Sequence, residues 1–252
     1  MEVSIISIGN EVLKGHTANS NYTFLSRQLT LLGNHIKRGY TVSDDRDEIG
    51  YALTESLKSS DLIVTTGGLG PTYDDITLAS ISSALGIRMV LDDRSLAMIR
   101  NRLASRGFPM TEERKKMAMI PEGSEPILNT VGSAPGVLIT NSRKLILSLP
   151  GVPQEMEAIF SSIRGRFKNP DIFYYEESLV FPGVTEGELA PLIRTEMKQK
   201  GDSIYIKSHP ETMPGGGFQV NLEISCYGRD EASARISVQK ELELFRNKFM
   251  KI

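Results

Sequence analysis

The run Val64-Thr-Thr-Gly-Gly-Leu-Gly-Pro-Thr-Tyr-Asp-Asp-Ile-Thr77 decides the architecture. An apolar stretch, Asp61-Leu-Ile-Val64, stops at a glycine-rich turn. Two carboxylates follow, and a helical pattern then runs from Thr77 to Leu85. Strand, anion cradle, acidic pair and helix, in that order, place a ligand pocket at the carboxyl end of a strand in an open α/β sheet. Gly67, Gly68 and Gly70 carry no Cβ, so they accept positive φ and let backbone N–H groups approach a phosphate. Pro71 stiffens the exit, and Thr66 and Thr72 offer hydroxyl donors. Asp74 and Asp75 would repel a bare phosphate; they make sense if a divalent cation, Mg²⁺ or similar, bridges carboxylate and phosphate oxygens. The same residues also read as a plain βα turn whose aspartates cap the helix. The turn has neither the Gly-Lys-Ser/Thr ending of the phosphate loop nor the Gly-x-Gly-x-x-Gly dinucleotide fingerprint.

Outward from this run, strand and helix signals alternate over the first ~165 residues. Val3–Ile8 reads as a buried strand and Asn21–Leu32 as a helix stopped by Gly33. His35–Val42 alternates as a strand, and Asp47–Leu57 carries a helical apolar face. Beyond the Thr77–Leu85 helix, Asp93–Arg106 reads as another, ended by Gly107. Gly136–Thr140 and Lys144–Leu149 are short strands around a polar turn, and Gln154–Arg166 is a closing helix. This alternation predicts an α/β fold, a mostly parallel sheet covered on both faces. A break comes at Lys168-Asn-Pro-Asp171. After it the order becomes strand (Tyr174–Phe181), helix (Glu186–Lys200), strands (Ser203–Lys207 and Phe218–Tyr227) and helix (Asp230–Lys248). Pro214-Gly-Gly-Gly217 reads as the connection between the last two strands. A domain over 1–167 and a smaller βαββα, α+β domain over 172–252 are therefore expected.

The chain has 252 residues, 40% of them hydrophobic and 24% charged, an ordinary globular composition. No apolar run reaches the ~20 residues that span a bilayer, and Met1–Ile8 reads as a first strand rather than a leader. A lone Cys226 excludes an intrachain disulfide, and the cytoplasm is the expected location. Lys and Arg equal Asp and Glu, eighteen of each, over residues 1–167, and trail them, eleven to thirteen, beyond. Neither part carries the basic excess of a nucleic-acid or membrane-surface binder. His16, His35 and His209 lie far apart, with no zinc-site spacing, and no serine sits in a Gly-x-Ser-x-Gly elbow.

Further loops fall at strand ends. Gly9-Asn-Glu-Val-Leu-Lys-Gly15 comes after the first strand and brings Glu11, a third carboxylate. Asn19-Ser-Asn21 is an N-cap cluster for the first helix. In Thr41-Val-Ser-Asp-Asp45, Asp44 or Asp45 caps the helix beginning near Asp47 or faces the same pocket as Asp75. Carboxylate-bearing loops after three strands of a parallel sheet lie on one edge. Asn129-Thr-Val-Gly-Ser-Ala-Pro-Gly136 and Ser148-Leu-Pro-Gly-Val-Pro153 are Gly/Pro-rich loops that either present N–H groups to a ligand or serve as punctuation.

Together these segments resemble the molybdopterin-binding domain family, in particular the amino-terminal part of CinA-type competence/damage-inducible proteins. The resemblance runs through Ile8–Gly15, Asn19–Asn21, Val42–Asp44, Thr65–Thr77, Asn129–Gly136 and Leu149–Pro153, in family order over nearly all of residues 1–167. The second domain resembles, by position and pattern, the KH-like domain of CinA-type proteins. The resemblance implies a three-layer α/β/α sandwich, an oligomer, and binding of molybdopterin or a nucleotide diphosphate at the glycine turn. For CinA-type members it implies metal-dependent cleavage of the pyrophosphate in ADP-ribose; for the molybdenum-cofactor branch it implies Mg-ATP-dependent adenylylation of molybdopterin. A ligand-binding protein without catalysis is the third reading.

By that match Gly67, Gly68 and Gly70 cradle phosphate and Asp75 holds the family's key acidic position. Asp75, Asp74 and Glu11 are the candidate catalytic carboxylates, Asp75 and Asp44 the candidate metal ligands. Thr66, Thr72, Asn19, Asn21, Ser133, Pro150 and Gly151 complete the candidate ligand contacts. CinA-like sequences usually carry Asp-x-Asn where this chain has Asn19-Ser-Asn21, which removes one carboxylate from the metal shell. The family's usual amidase domain does not follow Ile252, so amidase activity is not expected. The Gly-x-x-Gly clamp of RNA-binding KH domains is absent between Tyr174 and Lys200, so no nucleic-acid partner is expected. A homodimer is.

Overall fold

A computed structural model describes residues 1–213 and 216–249. The chain divides into two compact units, Met1–Thr30 with Asn34–Lys168, and Leu31–Gly33 with Asn169–Ile252.

The first unit runs β1 (Glu2–Ile8), α1 (Asn10–Leu13), α2 (Ser20–Leu31), β2 (His35–Val42), α3 (Arg46–Ser59), β3 (Leu62–Thr66) and α4 (Thr77–Leu85). It continues through β4 (Met89–Leu91), α5 (Asp93–Ala104), α6 (Glu112–Lys116), β5 (Met119–Pro121), β6 (Glu125–Ile127), β7 (Gly136–Asn141), β8 (Lys144–Leu149) and α7 (Pro153–Ile163). The six-stranded sheet has the order β2-β1-β3-β8-β7-β6. Its first four strands are parallel; β7 runs antiparallel to β8, and β6 antiparallel to β7. The central strands are apolar on both faces because both are covered. Ile6, Ile8, Ile63, Val137, Ile139 and Ile146 pack with Ile49, Ala52 and Leu53 of α3 and Ile81 of α4. The alternate residues Val3, Ile5, Leu62, Val64 and Leu147 are buried on the opposite face. Helix α7 lies on that side: a Cβ on Gly136, of opposite parity to Val137, would meet Ile159 at 2.7 Å. Phe160 of α7 meets Phe24 of α2 edge-on. The result is a three-layer α/β/α sandwich with a mostly parallel sheet.

The second unit contains β9 (Phe173–Pro182), α8 (Glu186–Lys200), β10 (Ile204–Thr212), β11 (Phe218–Gly228) and α9 (Glu231–Phe249). Its three-stranded antiparallel sheet, β10-β11-β9, packs against both helices around Phe181, Leu189, Leu222, Ile224, Val238 and Phe245. A capping box starts α8, Thr185 with Glu188.

Several elements differ from their sequence reading. β10 continues five residues past Lys207, through a polar stretch that pairs with β11 at a sheet edge and so carries no apolar alternation. The closing helix stops at Ile163 and tightens into a 3₁₀ turn over Arg164–Phe167. Helices α1 and α6 and strands β4, β5 and β6, three to five residues each, are too short to impose a period. The connection read at Pro214–Gly217 falls, at 214 and 215, outside the described residues. No described helix is long and apolar enough to cross a membrane.

Candidate functional site

The glycine turn is fixed from three directions. The Gly67 amide donates to Leu149 O (3.0 Å), extending the β3–β8 pairing by one residue. A Cβ at Gly67 (φ +108°) would stand 2.0 Å from Ile8 O, so only glycine lets the strand end pass β1. Thr77 ties down the next carbonyls: its hydroxyl donates to Gly67 O (2.8 Å) and its amide to Gly68 O (3.2 Å). In trans peptides N–H points opposite to C=O, so the Gly68 and Leu69 N–H groups point away from Thr77. The Gly67 donor expected in the cradle is thus consumed by the sheet, while Gly68 and Leu69 keep theirs on the other side. Gly70 does not use positive φ as expected; it is there for space, since a Cβ would meet Asp75 Oδ2 at 2.6 Å.

Beyond Pro71 the acidic pair folds back on Thr72. The Thr72 amide donates to Asp75 Oδ2 (2.8 Å). The Thr72 hydroxyl lies 2.6 Å from Asp75 Oδ2 and 2.5 Å from Asp74 Oδ1, with one proton to give. That hydroxyl holds the Asp74 carboxyl below the usual carboxylate range. Lys116 Nζ clamps the loop by donating to Thr72 O (2.7 Å).

The open choice between Asp44 and Asp45 resolves cleanly. Asp45 Oδ1 accepts from the amides of Asp47 and Glu48 and caps α3. Asp44 Oδ2 accepts from the amide (2.9 Å) and side-chain N–H (3.0 Å) of Asn10, at the carboxyl ends of β1 and β2. Helix α1 carries Glu11 on the same edge.

The third wall is the loop before β7, organised by buried Asn129. Its Oδ1 accepts from Val131 N (2.9 Å) and Gly132 N (2.6 Å); its Nδ2 donates to Ala134 O (2.8 Å) and Glu155 Oε2 (2.7 Å). Arg102 and Arg106 both donate to Val131 O. A Cβ on Gly132 would fall 1.8 Å from Glu155 Oε2, so Glu155 occupies the space that glycine leaves.

These loops enclose one cavity of about 680 Å³ at the carboxyl edge of the sheet. Glu11, Asp44, Gly67, Gly68, Gly70, Thr72, Asp74, Asp75, Ser133, Pro150 and Gly151 all line it. Thr66, Asn19 and Asn21 do not; they line a pocket of about 70 Å³ beside it. Each is tied into the scaffold. Thr66 is buried, donating to Pro150 O and accepting from Asn21 Nδ2. Asn21 Nδ2 also donates to Gly151 O (2.8 Å). Asn19 accepts from Ser7 Oγ and Tyr22 N. Their hydrogen bonds tether strand ends to α2 beside that smaller pocket. The sequence reading missed Leu103, Arg106, Phe108, Arg114 and Met117 in the cavity lining. They belong to no motif; the only signal was a large aromatic, Phe108, in a polar loop just after the helix stop Gly107. Among the described residues, no three His, Cys, Asp or Glu side chains converge as a metal-holding group.

The class defined by fold and cavity is that of three-layer α/β/α domains with a ligand cavity at the carboxyl ends of parallel strands. Residues 4–168 match the family described as a probable molybdopterin binding domain, and the chain belongs to that family. It is similar to a crystal structure of the protein CinA, of unknown function, from Thermoplasma acidophilum: 41% identity, TM-score 0.64, covering 67% of this chain and 100% of that one. It is 41% identical to a Thermoplasma acidophilum protein over 94% of this chain and 91% of that one. It is 40% identical to a Caldivirga maquilingensis protein over 96% and 94% respectively.

Proposed function

We propose that this molybdopterin-binding-family chain hydrolyses the pyrophosphate of ADP-ribose or a similar diphosphate with the help of a divalent cation. The observation that carries the reading is the shared cavity: the Gly67–Gly70 turn, Asp44 and Asp75 line one space of about 680 Å³, within the range of small-molecule sites. The residues present fit Mg²⁺ better than a cation needing a full protein cage, because Mg²⁺ is commonly held by one or two carboxylates plus substrate phosphates. Asp75 and Asp44 would hold it, and when bound it supplies neutralisation of phosphate charge.

The chain's own residues do the rest. The Gly68 and Leu69 amides bind one phosphate, and Thr72 keeps the Asp75 carboxylate oriented. Water forms a bond to phosphorus, the bridging P–O bond breaks, and AMP and ribose 5-phosphate leave. Asp74, which accepts from the Thr72 hydroxyl, and Glu11 are the two candidate acceptors of the water's proton.

The test is incubation with ADP-ribose and Mg²⁺ or Co²⁺, monitored for AMP. Asp75→Asn is expected to lower turnover by about two orders of magnitude or more. Normal turnover in that variant overturns the assignment. A binding-only role is the second reading, favoured by Asn19 in place of a carboxylate. Calorimetric binding of ADP-ribose or molybdopterin with no turnover under any metal would establish it. Adenylylation of molybdopterin would instead appear as transfer of AMP from Mg-ATP.

A further inference from the structure

The stretch from Leu103 to Met117 lends the cavity lining a chemistry the cradle does not use. Helix α5 ends in two backbone hydrogen bonds, Gly107 N to Ala104 O (3.1 Å) and Phe108 N to Leu103 O (2.9 Å), with Gly107 at φ +71°. This paired closure of a helix end fixes the backbone direction at Phe108. Leu103 and Met117 in this stretch are buried, yet Phe108 remains 51% exposed within the cavity lining. Arg114 stands over its ring, guanidinium carbon 5.1 Å from the centroid. Arg114 is itself held: its amide donates to the Thr111 hydroxyl at the start of α6, and its Nη1 donates to Pro109 O (2.6 Å). A cation over the ring and a side chain half exposed in the cavity lining are the parts of a stacking site whose backbone is set before any guest arrives.

Resting on the diphosphate reading of the cradle, we propose that Phe108, braced by Arg114, is the platform on which the flat nitrogen heteroaromatic ring of the guest stacks, and so the residue that makes the site select ring-bearing ligands. The glycine turn that would hold a phosphate and the Phe108 side chain that would hold a ring both line one cavity. The cradle then recognises the class of linkage, and the platform recognises what is attached to it. Purine and pterin rings share the required chemistry.

The chain contains no tryptophan, which gives a direct readout: Phe108→Trp introduces a lone indole at the platform. Its emission should be quenched by AMP and unchanged by inorganic pyrophosphate. Phe108→Leu keeps apolar bulk without the ring; it should weaken AMP binding about tenfold, the usual loss when a stacking partner is removed, while pyrophosphate binds as to native protein. A parallel titration with free pterin shows which ring system the platform prefers. AMP and pterin that both leave the indole emission of Phe108→Trp unmoved, and bind Phe108→Leu as well as native protein, overturn the inference while leaving pyrophosphate binding to speak for the cradle. Quenching by AMP in a protein that ignores pyrophosphate would instead keep the platform and remove the diphosphate reading.

Discussion

At Gly67 and Gly151 two glycines that look alike in sequence do different things. A Cβ at Gly67 would strike the Ile8 carbonyl, a backbone atom that cannot swing aside, and the residue sits at φ +108°. At Gly151 the nearest atom to a Cβ is Gly67 Cα at 3.4 Å, an ordinary contact. Gly67→Ala is expected to destabilise the first unit by on the order of 3 kcal/mol, and Gly151→Ala by within about 1 kcal/mol; urea unfolding of each variant checks the contrast. The sequence identified the glycines of the turn but not which one carries the steric demand, because that depends on a neighbouring strand far away along the chain. The same limit applies to Asp44 and Asp45. Both stand before α3, and only the reach of Asn10 across from β1 decides which carboxylate caps and which turns to the cavity.

Elements were legible in proportion to their length. Helix α5, read as Asp93–Arg106 with Gly107 as its stop, ends at Ala104, and Gly107 takes positive φ just beyond it. The segment after that helix was not legible: from Phe108 to Leu128 the chain makes one short helix and three-residue strands, and the first part of it lines the cavity. Substitution at the helix stop tests the link between element and site. A Cβ at Gly107 meets nothing within 4 Å, so Gly107→Ala adds backbone strain alone, about 1 kcal/mol, with Gly107→Asn milder because Asn tolerates the left-handed region. Thermal unfolding measures the stability change. If the helix end positions Phe108, Gly107→Ala should also weaken AMP binding more than Gly107→Asn does.

Across the molecule, the two units have separate apolar cores, and each should answer to its own mutations. In the second, Lys200 Nζ contacts the Glu241 carboxylate and lies 3.6 Å from Glu196, with both carboxylates largely buried. Lys200→Met strands two buried negative charges and is expected to destabilise this unit by roughly 3–5 kcal/mol. Cys226, in the same core, reports the result. Burial pushes its thiol up, so alkylation near neutral pH should be slow in native protein and markedly faster in Lys200→Met. An unchanged alkylation rate would count against the pair as a support of this core. The alternation of strands and helices, the break near residue 168 and the βαββα order were all readable, because each rests on long, periodic segments. The turn-back of β7 on β8 is implied by the short polar turn between them; the pairing of three-residue β6 with β7 was not readable.

Gly67 and Gly151 lie against each other where β3 and β8 end, and Leu149 receives the Gly67 amide between them. The floor of the cavity is therefore naked main chain. A side chain at 67 would strike the Ile8 carbonyl, so a change of guest preference is expected to come more readily at 108 or 114 than there.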